Sequence, residues 1–328
     1  MSYCCFIRWN TCRLLLVPLW LIALQGAAQQ NLVYNGDFEE YDSCPTNPSF
    51  PGDLQIEHCI GWTAPRKEGT SDYFNVCNNP INGGLAGVPH NVISYQHPQN
   101  GNGYCGLFTW ALNPDGTNYR EYIQTKLLNP LEEGKIYKLS FYVSNDGFNY
   151  SQEKIGALLG NNSFTETSAL PIVAHAQVVN RNGNLTDSLN WMKIEGEFIS
   201  SGDEEYLTIG YFEHSNQVFD TLNTYGDPFC GMESYYFVDG VELIETTKEL
   251  PNILTPNKDG VNDVFDIDLY VDKFTVLNRW GNLIFQAENT FPLWDGTNKT
   301  GEYVEEGTYY YVIEINHYET TGFIQLIR

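Results

Sequence analysis

Apolar residues recur in this chain at every second position, and no stretch carries a convincing helical period. Leu139, Phe141 and Val143 share one face of Tyr137–Ser144, and Tyr309, Tyr311, Ile313 and Ile315 do the same near the end. A period of two puts alternate side chains on opposite faces of an extended strand, so each stretch must bury one face against another layer. Clusters of Gly, Asn, Asp and Pro punctuate these stretches at short intervals. Thr275–Leu277 and Leu283–Phe285 flank a turn over Asn278–Asn282, which reads as a hairpin. Aromatics make up 14% of the residues, 22 of them tyrosines, which favours strands again. The pattern specifies an all-β chain: a larger sandwich over 31–246, a short polar join, and a smaller sandwich of Ig-like size over 251–328.

The front of the chain is organised differently. Met1–Arg13 carries Arg8 and Arg13 and no acid, Leu14–Leu24 is an apolar run, and Gly26, Ala27 and Ala28 are small. That order is the layout of a secretory signal peptide, residues 1–28. The 11-residue apolar run falls well short of the roughly 20 needed to span a bilayer. No later segment approaches a span, so no transmembrane segment is expected in the mature chain.

Without the leader, 15 basic residues face 41 acidic ones, a net charge of −26. Such a surface repels phosphate backbones and anionic lipid, which excludes nucleic acid as a partner class. Five cysteines remain: Cys44, Cys59, Cys77, Cys105 and Cys230. An oxidising compartment permits disulfides, and we expect at least one bridge among the close trio Cys44, Cys59 and Cys77. No spacing matches a paired Cys-x-x-Cys zinc site.

The C-terminal block contains an ordered series of landmarks. Pro251-Asn252-Ile253-Leu254-Thr255-Pro256-Asn257-Lys258-Asp259-Gly260 is followed by Asn278-Arg279-Trp280-Gly281, Trp294-Asp295-Gly296, Gly307-Thr308-Tyr309-Tyr310-Tyr311 and Gly322–Arg328. In order and rough spacing this series resembles the gliding-motility-associated C-terminal domain of Bacteroidetes, a sorting domain for type IX secretion. The resemblance implies an address, secreted or at the outer cell surface, and a partner, the type IX secretion machinery. Trp280 and Trp294 are expected in this domain's core. Asp259-Gly260-Val261-Asn262-Asp263 shares only part of a calcium-loop pattern and is expected as an ordered turn.

The first block opens Asn31-Leu32-Val33-Tyr34-Asn35-Gly36-Asp37-Phe38-Glu39 and closes Tyr235-Tyr236-Phe237-Val238-Asp239-Gly240-Val241. Between them lie Gly61-Trp62, the strand around Phe141 and Trp191–Phe198. In order, these segments are similar to carbohydrate-binding-module jelly rolls with the galactose-binding-like fold. A jelly roll sets its first and last strands side by side, which brings Glu39 near Asp239. The resemblance makes Glu39 and Asp239 candidates for a structural Ca2+; the alternative is a pair of solvated strand-end acids. Trp62, Tyr73, Trp110, Tyr119 and Tyr122, with Asn118 and Arg120 beside them, could form an aromatic platform for sugar; alternatively these rings fill the core.

Signatures of catalysis are absent. There is no Gly-x-Ser-x-Gly, no His-Glu-x-x-His and no phosphate loop, and the six histidines are scattered. We therefore expect a secreted, non-catalytic surface protein whose jelly roll binds a glycan or another surface component. A polysaccharide hydrolase using paired carboxylates, or a purely structural adhesin, are the alternatives.

Overall fold

Alternation in the sequence becomes alternation in burial. Across Gly307–Ile315, Tyr309, Tyr311, Ile313 and Ile315 are buried while Thr308 and Tyr310 are exposed. The computed structural model describes residues 29–328 apart from 67, 79–83, 113–117, 148–149, 166–170, 214–232, 247–248 and 316–317. Residues 1–28, where a signal peptide is expected, and Cys230, His214 and His317 lie outside the described residues. Within them the only helical stretch is one 3-10 turn, Gln55–His58.

Among the described residues eleven strands build the first block: β1 (Trp62–Thr63), β2 (Asp72–Asn75), β3 (Gly103–Leu112), β4 (Asn118–Tyr119), β5 (Ile123–Lys126), β6 (Ile136–Asn145), β7 (Ile155–Gly160), β8 (Val178–Val179), β9 (Met192–Ile199), β10 (Tyr206–Tyr211) and β11 (Glu233–Glu245). They form two antiparallel sheets, β1-β5-β10-β7-β8 and β2-β3-β11-β6-β9, with β4 on the side of β3. Ile123, Ala157, Leu207 and Ile209 from the first sheet meet Leu107, Phe141, Val143 and Val238 from the second in one buried core. Two inner faces interdigitating in this way define a sandwich. The segment 32–36 that opens the first block lies along that block's last strand, β11, as the jelly-roll reading requires. Leu32 N donates to Leu243 O at 2.8 Å, and Val241 N donates to Gly36 O at 2.7 Å. A Cβ at Gly36 would sit 2.1 Å from the Val241 carbonyl oxygen, so only glycine permits this approach.

Among the described residues seven strands build the tail: β12 (Ile253–Leu254), β13 (Phe265–Asp266), β14 (Val271–Leu277), β15 (Leu283–Thr290), β16 (Leu293–Trp294), β17 (Gly307–Ile315) and β18 (Tyr318–Leu326). The sheet β12-β18-β17-β14-β15 packs against the pair β13-β16 over Phe265, Phe274, Val276, Trp294, Ile313 and Ile324. No ladder joins the tail to the first block among the described residues. Ile136 and Ile199 of the first block nevertheless complete the tail's apolar cluster, so the two units are packed together.

The expected hairpin exists. β14 and β15 pair across Asn278–Asn282, where Asn278 Oδ1 accepts from Trp280 N and Asn282 N. Of the two tail tryptophans, Trp294 is fully buried, but Trp280 is 71% exposed and corrects the expectation of core packing. The turn carries Trp280 to the hairpin tip, beyond the sheet's inner face, and Arg279 stacks on its ring at 4.5 Å. One disulfide, Cys44–Cys77, closes within the expected trio, while Cys59 and Cys105 are buried thiols.

Candidate functional site

Glu39 and Asp239 grip the same loop from two sides. Asn35 and Phe38 both adopt left-handed backbone, and this kinked entry delivers Glu39 to the loop before β3. Glu39 Oε1 accepts from Asn102 N and from Gly103 N at 2.9 Å, and its Oε2 accepts from Asn102 Nδ2 at 2.8 Å. Asp239, in β11, is fully buried. Its Oδ2 accepts from Gln99 N at 2.8 Å and Asn100 N at 3.3 Å, and its Oδ1 accepts from Gly240 N at 2.7 Å. Burial pushes the Asp239 carboxyl up to about 8, aided by the nearby Glu39 charge and opposed by the backbone N–H donors. No ion pair neutralises either acid among the described residues. Those residues also contain no group of three or more His, Cys, Asp or Glu side chains placed to hold a metal. A cation between these two acids would complete its shell with backbone or amide oxygens and water.

The Asp259–Asp263 segment is an ordered turn, as expected. Asp263 accepts from Lys258 N and Gly260 N, while Asp259 accepts from Val261 N and from Asn257 Nδ2.

The sugar platform is corrected by burial. Trp62, Tyr73, Trp110, Arg120 and Tyr122 are all buried, and Tyr119 is half-buried. Their polar tips are taken up inside the protein. Trp62 Nε1 donates to Asn35 O, Tyr73 OH to Phe38 O, Trp110 Nε1 to Asn118 Oδ1, and Tyr122 OH to Tyr211 O. Arg120 donates to the Tyr211 and Glu213 carbonyls and stacks on the Tyr211 ring. Ile172 and Phe212 cover Tyr122, so this side of the sandwich offers no open stacking surface there. Beneath it lies a carboxylate pair that sequence reasoning did not single out, Asp72 and Glu121, 3% and 0% exposed. Burial, with the neighbouring Glu121 charge, pushes Asp72 up to about 8, and burial raises Glu121 as well. Asp72 accepts from Ser49 N and Tyr235 OH, and Glu121 from Thr70 N, Thr70 Oγ1 and Phe108 N. Enclosed and saturated with donors, the two acids tie loops to the sheet and cannot be reached by a polymer.

An open cleft of about 530 Å³ lies elsewhere, between the first block and the tail. His175 and Phe212 contribute from the first block, Tyr270 and Phe291 from the tail. The His175 and Tyr270 rings run nearly parallel at 6.3 Å, Phe291 meets Tyr270 edge-on at 5.4 Å, and the Arg181 guanidinium lies on Phe291 at 3.1 Å. Glu153, Lys154, Gln177 and Glu213 add polar groups to the walls. Rings with hydrogen-bonding groups around them suit an uncharged polar ligand. In the sequence His175 is only one of six scattered histidines, and nothing there links it to Tyr270, since the two are brought together by packing between blocks.

Comparison with known proteins adds an address. No curated protein matches the chain. The chain gives matches to solved structures at low scores. The CBM22-1 xylan-binding domain of Paenibacillus barcinonensis Xyn10C is 12% identical, with a TM-score of 0.31 over 62% of this chain and 94% of that one. A putative sugar binding protein from Bacteroides thetaiotaomicron is 12% identical, with a TM-score of 0.31 over 66% and 100%. The K1 cleaved adhesin domain of Lys-gingipain from Porphyromonas gingivalis is 18% identical, with a TM-score of 0.29 over 57% and 92%. Scores of this size carry no inference about ligand. Residues 248–326, in contrast, match the CHU_C Type IX secretion signal domain, and they span the strands β12–β18. The chain thus ends in a type IX secretion signal domain and is a secreted, cell-surface protein.

Proposed function

We propose that the exported protein is a non-catalytic surface component that binds a neutral glycan in the cleft between its larger sandwich and its tail. The observation that carries this reading is the wall of that cleft. His175, Tyr270 and Phe291 present rings on which sugar C–H faces can stack, and the half-exposed Lys154 and Glu213, 3.7 Å apart, set charged groups in the wall that can meet hydroxyls. Its volume falls within the range of small-ligand sites, roughly 300–1,000 Å³. The strong negative charge of the chain disfavours polyanions and leaves uncharged polysaccharide as the class of choice. In this reading the tail supplies one wall of the site as well as the address. An array of neutral plant and bacterial polysaccharides probed with the mature chain tests it. Binding to at least one of them, lost in Tyr270→Ala, is the expected result. An array without signal, or binding indifferent to Tyr270→Ala and His175→Ala, contradicts it.

We also infer that Glu39 and Asp239 hold a structural calcium. Their ligand atoms are hard oxygens, and the fully buried Asp239 has no basic partner among the described residues to stabilise its ionised form. Bound calcium would supply that positive charge and pin the loop Gln99–Gly103 to β11. Thermal melting in calcium and in chelator tests the idea: calcium should raise the melting temperature of the wild type and leave Asp239→Asn unmoved. Equal shifts in both proteins would count against it.

A further inference from the structure

The tail sheet has one face that none of the described residues covers. Its inner side is buried through Phe274, Val276, Tyr311, Ile313 and Ile324. On the other side the strand register sets Leu283 opposite Leu277, Leu277 opposite Tyr310, and Tyr310 opposite Phe323. This is one apolar row across four strands. Leu283, Tyr310 and Phe323 are 43%, 49% and 48% exposed. Ile253 at the sheet edge is exposed on the same side, and Trp280 stands at the tip of the hairpin that carries the row. The first block does not compete for this face. It touches the tail through Ile136 and Ile199 at the inner cluster, through Arg181 on Phe291, and through the turn at Gly134 beneath Tyr318.

A second row runs parallel to the first. Glu288 pairs with Lys273, Lys273 with Glu314, and Glu314 with Glu319, so three carboxylates face a single ammonium. Lys273 Nζ is committed to Glu314 at 2.7 Å. Like charges opposite one another destabilise a sheet, so a partner that neutralises Glu288 and Glu319 is favoured. Exposed apolar area on an otherwise strongly acidic, soluble protein marks a contact surface.

We propose that this face is the surface by which the secretion signal is read, and that its occupant is a protein of the export machinery presenting an apolar pocket flanked by Lys or Arg side chains. Three observations converge on that occupant. The domain that bears the face is the type IX secretion signal. The acidic row calls for a basic partner and argues against a second copy of this acidic chain. The row is narrow, which suits the small, transient contact that a cargo must later leave.

The test is export in a native type IX host, with Tyr310→Ser/Phe323→Ser as one variant and Glu288→Lys/Glu319→Lys as the second. The second changes exposed polar positions only, so it stays informative if the first fails to fold. Leu189→Ser, at an 83% exposed position in the first block, is the control. Both variants should reach the surface or medium in amounts reduced about tenfold or more, the scale of losing a hot-spot contact. They should accumulate in the periplasm with unchanged circular dichroism, while the control exports normally. Normal export of the folded variants would overturn the proposal. So would a wild type that self-associates through this face, with the serine variant monomeric and still exported.

Discussion

Asp239 should make the folded protein weaker as pH rises, and the size of the effect can be worked out. Its carboxyl stands at about 8 because it is buried, against 3.8 for an exposed aspartate. Below about pH 4 both folded and unfolded chains hold the proton, so the group contributes nothing to the pH dependence. Between about 4 and 8 the unfolded chain releases a proton that the folded chain keeps, and stability falls by about 1.4 kcal/mol per pH unit. Above about 8 the full penalty stands. Asp72 and Glu121 are also raised and slope the same way, so the wild-type curve contains more than one group. Asp239→Asn removes one of them. The difference in unfolding free energy between wild type and variant should therefore fall by about 2–3 kcal/mol from roughly pH 5 to roughly pH 7. Urea unfolding in chelator at several pH values within that window measures it. Saturating calcium should flatten the difference, because the cation would stabilise the ionised carboxylate. Wild-type and variant curves that run parallel in chelator would refute the reasoning, since they would place Asp239 in contact with water or with an unseen positive partner.

Other consequences concern the scaffold. Trp294→Ala empties a fully buried site whose indole Nε1 donates to Thr297 O, and should cost about 3–5 kcal/mol by thermal or chemical unfolding, whereas Trp280→Ala should cost under about 0.5 kcal/mol. Replacing Cys44 and Cys77 by alanine releases a bridge spanning 33 positions and should lower stability by about 3–4 kcal/mol in the chain-entropy account, read by denaturation with and without reductant. Gly101→Ala should destabilise by more than about 1 kcal/mol, because φ is +72° and the new Cβ would lie 2.2 Å from Glu39 Oε1; the melting temperature reports it.

The fold was largely legible because alternation has one physical reading. Leu139, Phe141 and Val143 had to face a second layer, and the core between the two large sheets is that layer. The Asn278–Asn282 turn was legible from its residues, and Glu39 and Asp239 were brought to one loop by the adjacency of first and last strands. Aromatic roles were not legible. Trp62 and Tyr122 are amphipathic, and a ring with a polar tip satisfies a buried carbonyl as readily as a sugar hydroxyl. Trp280 misled in the opposite sense, since its position in a tight turn outweighs its size. The cleft was invisible for a different reason. His175 lies 95 positions before Tyr270 and Arg181 110 positions before Phe291, and only the docking of tail on sandwich joins them. The enclosed pair of Asp72 and Glu121 likewise carries no local pattern among 41 acids.

The glycan-binding account is tested most directly by calorimetric titration of the mature chain with the oligosaccharide unit of whichever neutral polysaccharide it retains. It predicts saturable binding that is abolished by Tyr270→Ala and by Phe291→Ala, with both variants folded. Undiminished binding by those variants would contradict it, as would the absence of heat for every neutral oligosaccharide offered.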